Sequence, residues 1–180
     1  WDSTTIMTGT MVGTMIIDSH AVAGALDESA VQPRWLNDKL IFASDRTNWW
    51  NLYLWSENGV VPLCPTDAEF CPAQWTLGQR GYSIIDGDHL LCTLNRSGTQ
   101  SIEVLTISDG TLRPIADPGT AATSVDVGGG HVAALLSYPD RPSALALYDL
   151  DQHSWSAVRS STEMITDATS VSLARLVSWA

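Results

Sequence analysis

The stretch from Gln32 to Trp55, Q-P-R-W-L-N-D-K-L-I-F-A-S-D-R-T-N-W-W-N-L-Y-L-W, decides the fold class of this chain. Apolar, strand-forming runs alternate in it with short polar turns, first Asn37-Asp38 and then Ser44 to Asn48. A further strand follows the turn at Glu57-Asn58-Gly59. Four antiparallel strands within about 35 residues are typical of one propeller blade, and we predict such a meander here.

The same unit recurs along the chain, which predicts a row of blades. A Pro-Ala-Gln-Trp run at 72–75 echoes Gln32 to Trp35, so the second blade is expected to begin with a strand at Gln74 to Leu77, continued by Tyr82 to Ile85. Over 1–180 we expect an all-β fold, a partial β-propeller of about three to four antiparallel four-stranded blades. The predicted units are a partial blade at 1–25, blades at about 30–66, 72–117 and 122–160, and a final strand at about 170–179.

The eight tryptophans are expected to supply much of the surface through which neighbouring blades stack. Three and a half blades leave two open faces, because each blade needs a neighbour on both sides and closed propellers use four to eight blades. The open ends are expected either to close by pairing the N-terminal strands with the final strand, or to be buried by self-association or by another chain.

Composition excludes several classes of partner and site. A net charge of −11 and a pI near 4.4 disfavour nucleic acid and anionic membrane surfaces. No apolar window approaches the roughly 18 residues of a membrane-spanning helix. The three cysteines form no C-x-x-C pair, so reduced thiols, a cytoplasmic location, and no metal or cofactor are predicted.

Two sets of motifs carry a resemblance to known families. Q-P-R-W, followed by L-I-F-A-S-D-R-T and N-L-Y-L-W, resembles the TolB-type propeller repeat. S-D-R-T-N-W-W-N-L-Y-L-W, with P-L-C-P-T-D-A-E-F and P-A-Q-W after it, is similar to the propeller of prolyl oligopeptidase family serine peptidases of the acylaminoacyl peptidase or dipeptidyl aminopeptidase type. The resemblance covers Asp27 to Trp75 and departs from the repeat at Leu36 to Lys39, where the family form has Ser-Pro-Asp-Gly.

The resemblance implies a non-catalytic propeller that scaffolds a separate α/β-hydrolase domain of the same parent protein and gates peptide access to it. No catalytic residue is expected in the sequence itself, because Gly9 and Gly13, the one glycine pair with nucleophile-elbow spacing, enclose Met11 instead of serine. We expect the sequence to be part of a longer protein. The alternative is a free-standing TolB-like propeller that binds another protein. An independent propeller glycosidase would need repeated acidic residues on inner strands, which the sequence lacks.

Candidate functional residues follow from blade topology. The loop between the second and third strands and the loop into the next blade emerge on the same face of a propeller. One interpretation is a charged rim that faces the hydrolase domain or screens peptides; the other is a set of turn-stabilising contacts. Peptide amine binding by carboxylates is a further reading of the two glutamates. The candidates are Glu28, Arg46, Trp49, Trp50, Glu69, Arg96 and Arg141. Because successive strand residues face opposite sides, one tryptophan of Trp49-Trp50 is expected to pack between blades and the other to be exposed.

Overall fold

The computed structural model describes residues 3–75, 78–115, 119, 121–163, 170–173 and 177. Fourteen β-strands in this part of the chain form four antiparallel sheets. Within the same residues no helix is long and apolar enough to span a membrane.

One sheet is a two-stranded hairpin and the other three are four-stranded blades, here named blades A, B and C. Within each blade the strands follow one another in sequence order. The all-β partial propeller predicted from the sequence is confirmed. The hairpin consists of β1 (Ile6–Val12) and β2 (Met15–Ala23); blade A of β3 (Ala30–Leu36), β4 (Lys39–Ser44), β5 (Asn51–Ser56) and β6 (Gly59–Pro62); blade B of β7 (Tyr82–Ile84), β8 (His89–Arg96), β9 (Thr99–Thr106) and β10 (Leu112–Pro114); and blade C of β11 (Ala121–Gly128), β12 (His131–Ser137), β13 (Ala144–Asp149) and β14 (Ser154–Ser160).

Apolar residues on both faces of the central strands explain why the sheets stack. Side chains of a strand point alternately to its two faces. In β4, Leu40 and Phe42 pack with the hairpin, whereas Ile41 and Ala43 pack with blade B. A blade with two apolar faces needs a neighbour on each side, so the core lies between the sheets and not inside any one of them.

The contact between blades B and C follows the same rule. Leu90, Cys92 and Leu94 of β8 face blade A, while Leu91 faces blade C. Burial raises the pKa of the Cys92 thiol well above its ordinary value, so Cys92 is a small apolar core residue at neutral pH.

The first strands of the blades lie next to one another and therefore form the inner side of the row. The Gly81 amide of the segment entering β7 donates to Gln32 Oε1 of β3 at 2.8 Å, and Ser83 Oγ of β7 donates to Asp126 Oδ1 of β11 at 2.9 Å. Both β3 and β11 contain a bulge with one non-glycine residue of positive φ, Gln32 at 56° and Ser124 at 52°. Each bulge bends its strand at the inner edge.

The expected start of blade B at Gln74 is wrong, whereas the predicted continuation at Tyr82 to Ile85 is confirmed by β7. Gln74 and Trp75 are in no strand, residues 76–77 lie outside the described part, and β7 begins at Tyr82. Trp35 lies on β3 and contacts Trp55 edge-on, with ring centroids 6.2 Å apart, whereas Trp75 lies in the loop between blades. The two tryptophans are therefore not equivalent positions of a repeat.

The described tryptophans lie at the margins of the core. The buried residues between the sheets are mainly Leu, Ile, Val and Ala, with Phe42, Phe70 and three tyrosines, whereas Trp50, Trp55 and Trp155 are partly buried and pack against the three core clusters. Tryptophan therefore contributes to the stacking, but from the margins and less than the sequence predicted. Of the final strand predicted at about 170–179, residues 174–176 and 178–179 lie outside the described part, and 170–173 are not in a strand.

Candidate functional site

The loops predicted to share one face contain two groups of contacting candidate residues. These loops join β2 to β3 (24–29), β4 to β5 (45–50) and β6 to β7 (63–81). We call them the loop face. The first group is centred on Glu28 and the second on Glu69, and each ties two loops or strand ends together.

Glu28 and Arg46 form the first group. Ser44 Oγ donates to Glu28 Oε1 at 2.6 Å, and Arg46 donates to the same oxygen from Nε at 2.9 Å and Nη2 at 2.6 Å. The Arg46 guanidinium lies over the Tyr53 ring, 4.6 Å from its centroid. Partial burial disfavours the charged carboxylate, but the Ser44 hydroxyl and the Arg46 guanidinium outweigh it and lower the pKa of Glu28. The Glu28–Arg46 ion pair therefore ties the loop that leads into blade A to the loop between β4 and β5.

Glu69 and Trp50 form the second group. The Trp50 amide donates to Glu69 Oε2 at 2.7 Å, and the Glu69 backbone exchanges two hydrogen bonds with Asn95, at 3.0 and 2.9 Å. Trp50 is half-buried and packs against the core between blades A and B. Glu69 thus joins a loop of blade A to a strand end of blade B.

The remaining candidates lie apart from these groups. Trp49 and Trp50 precede β5 and belong to no strand, so the argument from strand alternation fails, and both are half-buried. Arg96 Nη1 donates to Glu103 Oε1 at 2.5 Å. Arg141 stacks on Tyr138, with its guanidinium carbon 3.8 Å from the ring centroid. The two arginines therefore make two separate local contacts and do not form one constellation with the glutamates.

The inner edge of the row carries polar residues that the motif analysis missed. Arg34 of β3 pairs with Ile41, Ser83 of β7 with Leu91 and Asp126 of β11 with Ala133, which are matching positions of the second strands. Each blade therefore places one polar side chain at the same inner position. We call Arg34, Ser83, Asp126 and the neighbouring Arg80 the inner polar cluster.

Asp126 is the anionic member of the cluster. Its carboxylate accepts hydrogen bonds from Arg80 Nη1 at 2.5 Å, from Ser83 Oγ at 2.9 Å and from the Val127 amide at 3.0 Å. Burial works against the charge, yet the Ser83 and Val127 hydrogen bonds and the positive charges of Arg80 and Arg34 lower the pKa of Asp126. Asp126 is therefore ionised at neutral pH and paired with Arg80.

Two cavities adjoin along β3. One of about 350 Å³ is lined by Gln32, Pro33, Arg34, Gln74 and Gly78 to Arg80. The other, of about 290 Å³, is mostly apolar and is lined by Thr4, Ser29, Val31, Trp50 and Ala73 to Trp75. Gln74 lines both, and Val31 and Gln32 are consecutive, so the polar and apolar cavities are neighbours.

The side chains of the inner polar cluster and of the loop face are groups that can bind a ligand. The inner polar cluster offers guanidinium donors and one carboxylate, and the loop face offers ion pairs and indole surface. In the described part of the chain no group of three His, Cys, Asp or Glu side chains is placed to hold a metal ion. The signal for the inner cluster was present in the sequence as a polar residue shortly before each first turn, at Arg34, Ser83 and Asp126.

Comparisons with known proteins show which solved structures have a similar fold. No family model and no curated protein matches the sequence. Among solved structures, a puromycin-hydrolyzing peptidase of Mycobacterium tuberculosis is similar over 93% of this chain, with a TM-score of 0.86 and 23% identity. A crystal structure of puromycin hydrolase is similar over 92%, with a TM-score of 0.81 and 23% identity. Prolyl oligopeptidase B from Galerina marginata is similar over 93%, with a TM-score of 0.65 and 13% identity, and the match covers 24% of that chain.

The similarity covers a minor part of each of these proteins. The chain spans 26% of the M. tuberculosis peptidase and 26% of puromycin hydrolase. What the comparison shows is that three blades and a hairpin of this chain have the fold of a corresponding segment of these peptidases.

Proposed function

We propose that this chain is a non-catalytic β-propeller portion of a serine peptidase of the prolyl oligopeptidase family. In this proposal it supports a separate α/β-hydrolase domain of the same parent protein and gates the access of peptides to it. The observation that carries the proposal is the TM-score of 0.86 over 93% of this chain to about a quarter of a peptidase, 26% of its length. The sequence resemblance over Asp27 to Trp75 points to the same family independently.

The arrangement of the described residues suits a supporting role. The charged side chains of the loop face hold the loops to one another through Glu28 and Glu69, which keeps a surface fixed for another domain. The acylaminoacyl or dipeptidyl aminopeptidase type and a cytoplasmic location stay predictions. A free-standing TolB-like interaction propeller is the second candidate, and the exposed apolar hairpin, with Met11 at 71% and Ile16 at 67% exposure, is the observation that favours it.

The coding sequence on either side of these residues tests the proposal. It should encode an α/β-hydrolase domain with a Gly-x-Ser-x-Gly elbow followed by Asp and His in chain order. A complete reading frame without such a domain would contradict the peptidase assignment and favour the interaction module. The 180-residue chain alone should not hydrolyse aminoacyl or acyl-peptide chromogenic substrates; hydrolysis blocked by a serine-directed organophosphate would show a catalytic site that the proposal denies.

Gating has a separate test in the longer protein. Replacing Glu28 and Arg46 by Ala removes the contacts that hold the entry into blade A. If these loops screen peptides, the rate for a long peptide should rise several-fold relative to that for a dipeptide substrate. The matched control is Glu57→Ala in an exposed turn. Equal changes for long and short substrates would contradict gating by these loops.

A further inference from the structure

We propose that the polar cavity beside β3 is a binding site for a carboxylate group, and that the adjoining apolar cavity takes a hydrophobic side chain next to that carboxylate. The ligand class is a peptide that presents an acidic group beside an apolar residue. The site consists of this chain's own residues, so the proposal holds whether or not a hydrolase domain accompanies them.

The charge balance of the cavity is the first step. Arg34 and Arg80 both line it, and Asp126 is the carboxylate paired with Arg80. Among the described residues Arg34 has no ion-pair partner. Two guanidinium groups facing one carboxylate leave a local excess of one positive charge. In a chain of net charge −11 such a local excess favours the binding of an anion in this cavity.

The donor geometry is the second step. A guanidinium carries five N–H groups in a planar fork that matches a carboxylate. Arg80 donates a hydrogen bond from Nη1 to Asp126, so the other N–H groups of Arg80 remain for a ligand. Charge-assisted hydrogen bonds of this kind are the stronger ones in proteins.

Gln32 adds an unsatisfied donor at the wall of the same cavity. Its Oε1 accepts from the Gly81 amide at 2.8 Å, which fixes the orientation of the side-chain amide. Its Nε2 is buried and has no hydrogen-bond partner among the described residues. Buried donors are rarely left without an acceptor. Because Nε2 is covered, a ligand in the cavity contacts the two arginines first.

The neighbouring cavity supplies the second half of the specificity. Trp50, Trp75 and Val31 line it, and its volume of about 290 Å³ accommodates an aliphatic side chain. Consecutive residues of β3, Val31 and Gln32, face the two cavities, which sets the spacing of a carboxylate and an adjacent side chain within one peptide. A carboxylate beside an apolar residue occurs at a peptide C-terminus and also where Glu or Asp precedes an apolar residue.

The test is a titration of the purified chain, followed by amide chemical shifts in NMR. The probes are N-acetyl-Ala-Ala-Leu with a free carboxylate, its C-terminal amide, and the amide of N-acetyl-Ala-Glu-Leu. The free acid should shift the amides near Arg34, Ser83 and Asp126. If the amide of N-acetyl-Ala-Ala-Leu does not bind but the amide of N-acetyl-Ala-Glu-Leu does, the site accepts a side-chain carboxylate. If neither amide binds, the site is specific for the C-terminal carboxylate. Binding of all three probes with equal affinity would overturn the proposal.

Variants of the site give the expected changes in affinity. Arg34→Gln should weaken binding of the free acid about 10-fold or more, as expected for loss of a charge-assisted hydrogen bond. Arg159→Gln on the outermost strand of blade C removes the same charge and should change binding less than about 2-fold, by screened long-range charge alone. Gln32→Glu keeps the acceptor for Gly81, replaces the donor by an anion and should also weaken binding. Equal effects of Arg34→Gln and Arg159→Gln would refute the site.

One substitution is expected to strengthen binding. Asp126→Asn keeps acceptors for Ser83 and Val127 but removes the charge that competes for Arg80, so affinity for the free acid should rise several-fold. Replacing the terminal Leu of the probe by Gly should lower affinity about 10-fold, because its buried methylenes are lost. Urea unfolding of every variant verifies that the fold is intact. If the Asp126→Asn variant and the Arg34→Gln variant are both folded and both bind the free acid with the affinity of the wild-type chain, the proposal is rejected.

Discussion

At the scale of single residues, the two glutamates of the loop face are each held by a contact within that face. Arg46 is held by Glu28 and lies over Tyr53, and Glu69 accepts from the Trp50 amide. Such contacts join neighbouring loops, and the two interpretations that the sequence left open both stay predictions. Peptide amine binding by Glu28 or Glu69 would have to compete with these partners.

Glu28→Gln tests how much this pairing stabilises the chain. Glu28 Oε1 accepts three hydrogen bonds, two of them from Arg46, so we expect a loss of about 1–2 kcal/mol in the free energy of unfolding at pH 7. Urea unfolding measures it, with Glu57→Gln as the exposed control. A loss no larger than that of the control would show that the pair contributes nothing.

The same pair predicts a pH dependence. The folded pKa of Glu28 is lowered from its ordinary value of 4.5, so the stabilisation is present above about pH 4.5 and is lost as the pH falls through the folded value. The difference in unfolding free energy between the wild-type chain and Glu28→Gln should therefore become smaller as the pH is lowered from 5, over roughly 2 pH units or until the chain unfolds in acid. A difference that stays constant over this range would contradict the assignment.

Sequence reasoning found these residues but not their partners. The prediction that charged residues recur in particular loops required only strand order, which local patterns give. The pairing of Glu28 with Arg46 depends on how loops of successive strands meet in space. The inner polar cluster was missed for a similar reason: Arg34, Ser83 and Asp126 become equivalent only once the strand registers are known.

At the scale of elements, the loop from β6 to β7 is fixed by a buried asparagine. Asn51 at the start of β5 is 2% exposed. Its Nδ2 donates to the Thr66 and Ala68 carbonyls, and its Oδ1 accepts from the Thr66 amide at 2.9 Å. The Asn51 side chain thus supplies hydrogen-bond partners to three backbone groups that no regular secondary structure satisfies in this segment.

Asn51→Ala should be strongly destabilising. Three backbone groups lose their partner in a buried setting, and we expect a loss of about 2–4 kcal/mol in the free energy of unfolding. Hydrogen exchange should show the Thr66 amide losing protection first. Asn58→Ala, in an exposed turn, is the matched control. A loss below about 1 kcal/mol would mean that the loop is held mainly by its apolar residues.

Tyr82 links two blades and gives a second element-scale prediction. Its hydroxyl lies 2.5 Å from the Gln32 carbonyl and 2.9 Å from the Ile41 carbonyl, both in blade A. Tyr82→Phe keeps the ring and should cost about 1–2 kcal/mol in unfolding free energy. Tyr138→Phe is the comparison, because the Tyr138 ring stacks on Arg141 and packs against the core between blades B and C, and both ring contacts survive loss of the hydroxyl. Equal stability of Tyr82→Phe and the wild-type chain would show that the hydroxyl is dispensable.

The elements themselves were largely predictable, with one instructive failure. Blade C followed from alternating apolar residues and the Gly128-Gly129-Gly130 turn, since such patterns are local. The first strand of blade B was misplaced because Trp75 was matched to Trp35 by spacing alone. The long loop between blades A and B shifts the register of the repeat, and only the pairing of Tyr82 with Cys92 reveals it.

At the scale of the whole molecule, the hairpin differs from the blades in its exposure. The exposed fractions of Met7, Met11, Met15 and Ile16 are 55%, 71%, 64% and 67%. Met11 and Ile16 are cross-strand partners and share one face of the hairpin, and exposed apolar side chains grouped in this way mark contact sites. It is also the part of the described chain where the sequence predicted an open blade face.

We expect the purified chain to self-associate through this hairpin. Ile16→Lys should shift the mass measured by light scattering toward that of the monomer, 19.4 kDa, at concentrations where the wild-type chain associates. Val158→Lys, an equally charged change at a 55% exposed position of blade C, is the control. A monomeric wild-type chain, or equal effects of the two substitutions, would contradict association through the hairpin.

The division of the core into layers between sheets has a consequence for evolutionary drift. Leu91 belongs to one layer and its sequence neighbours Leu90 and Cys92 to another, so a compensating pair of changes in one layer leaves the other layer untouched. A substitution and its compensation can therefore be accommodated within one layer at a time, so very different sequences can fill the layers of one shape. This chain and the M. tuberculosis peptidase are such a case, with 23% identity and a TM-score of 0.86.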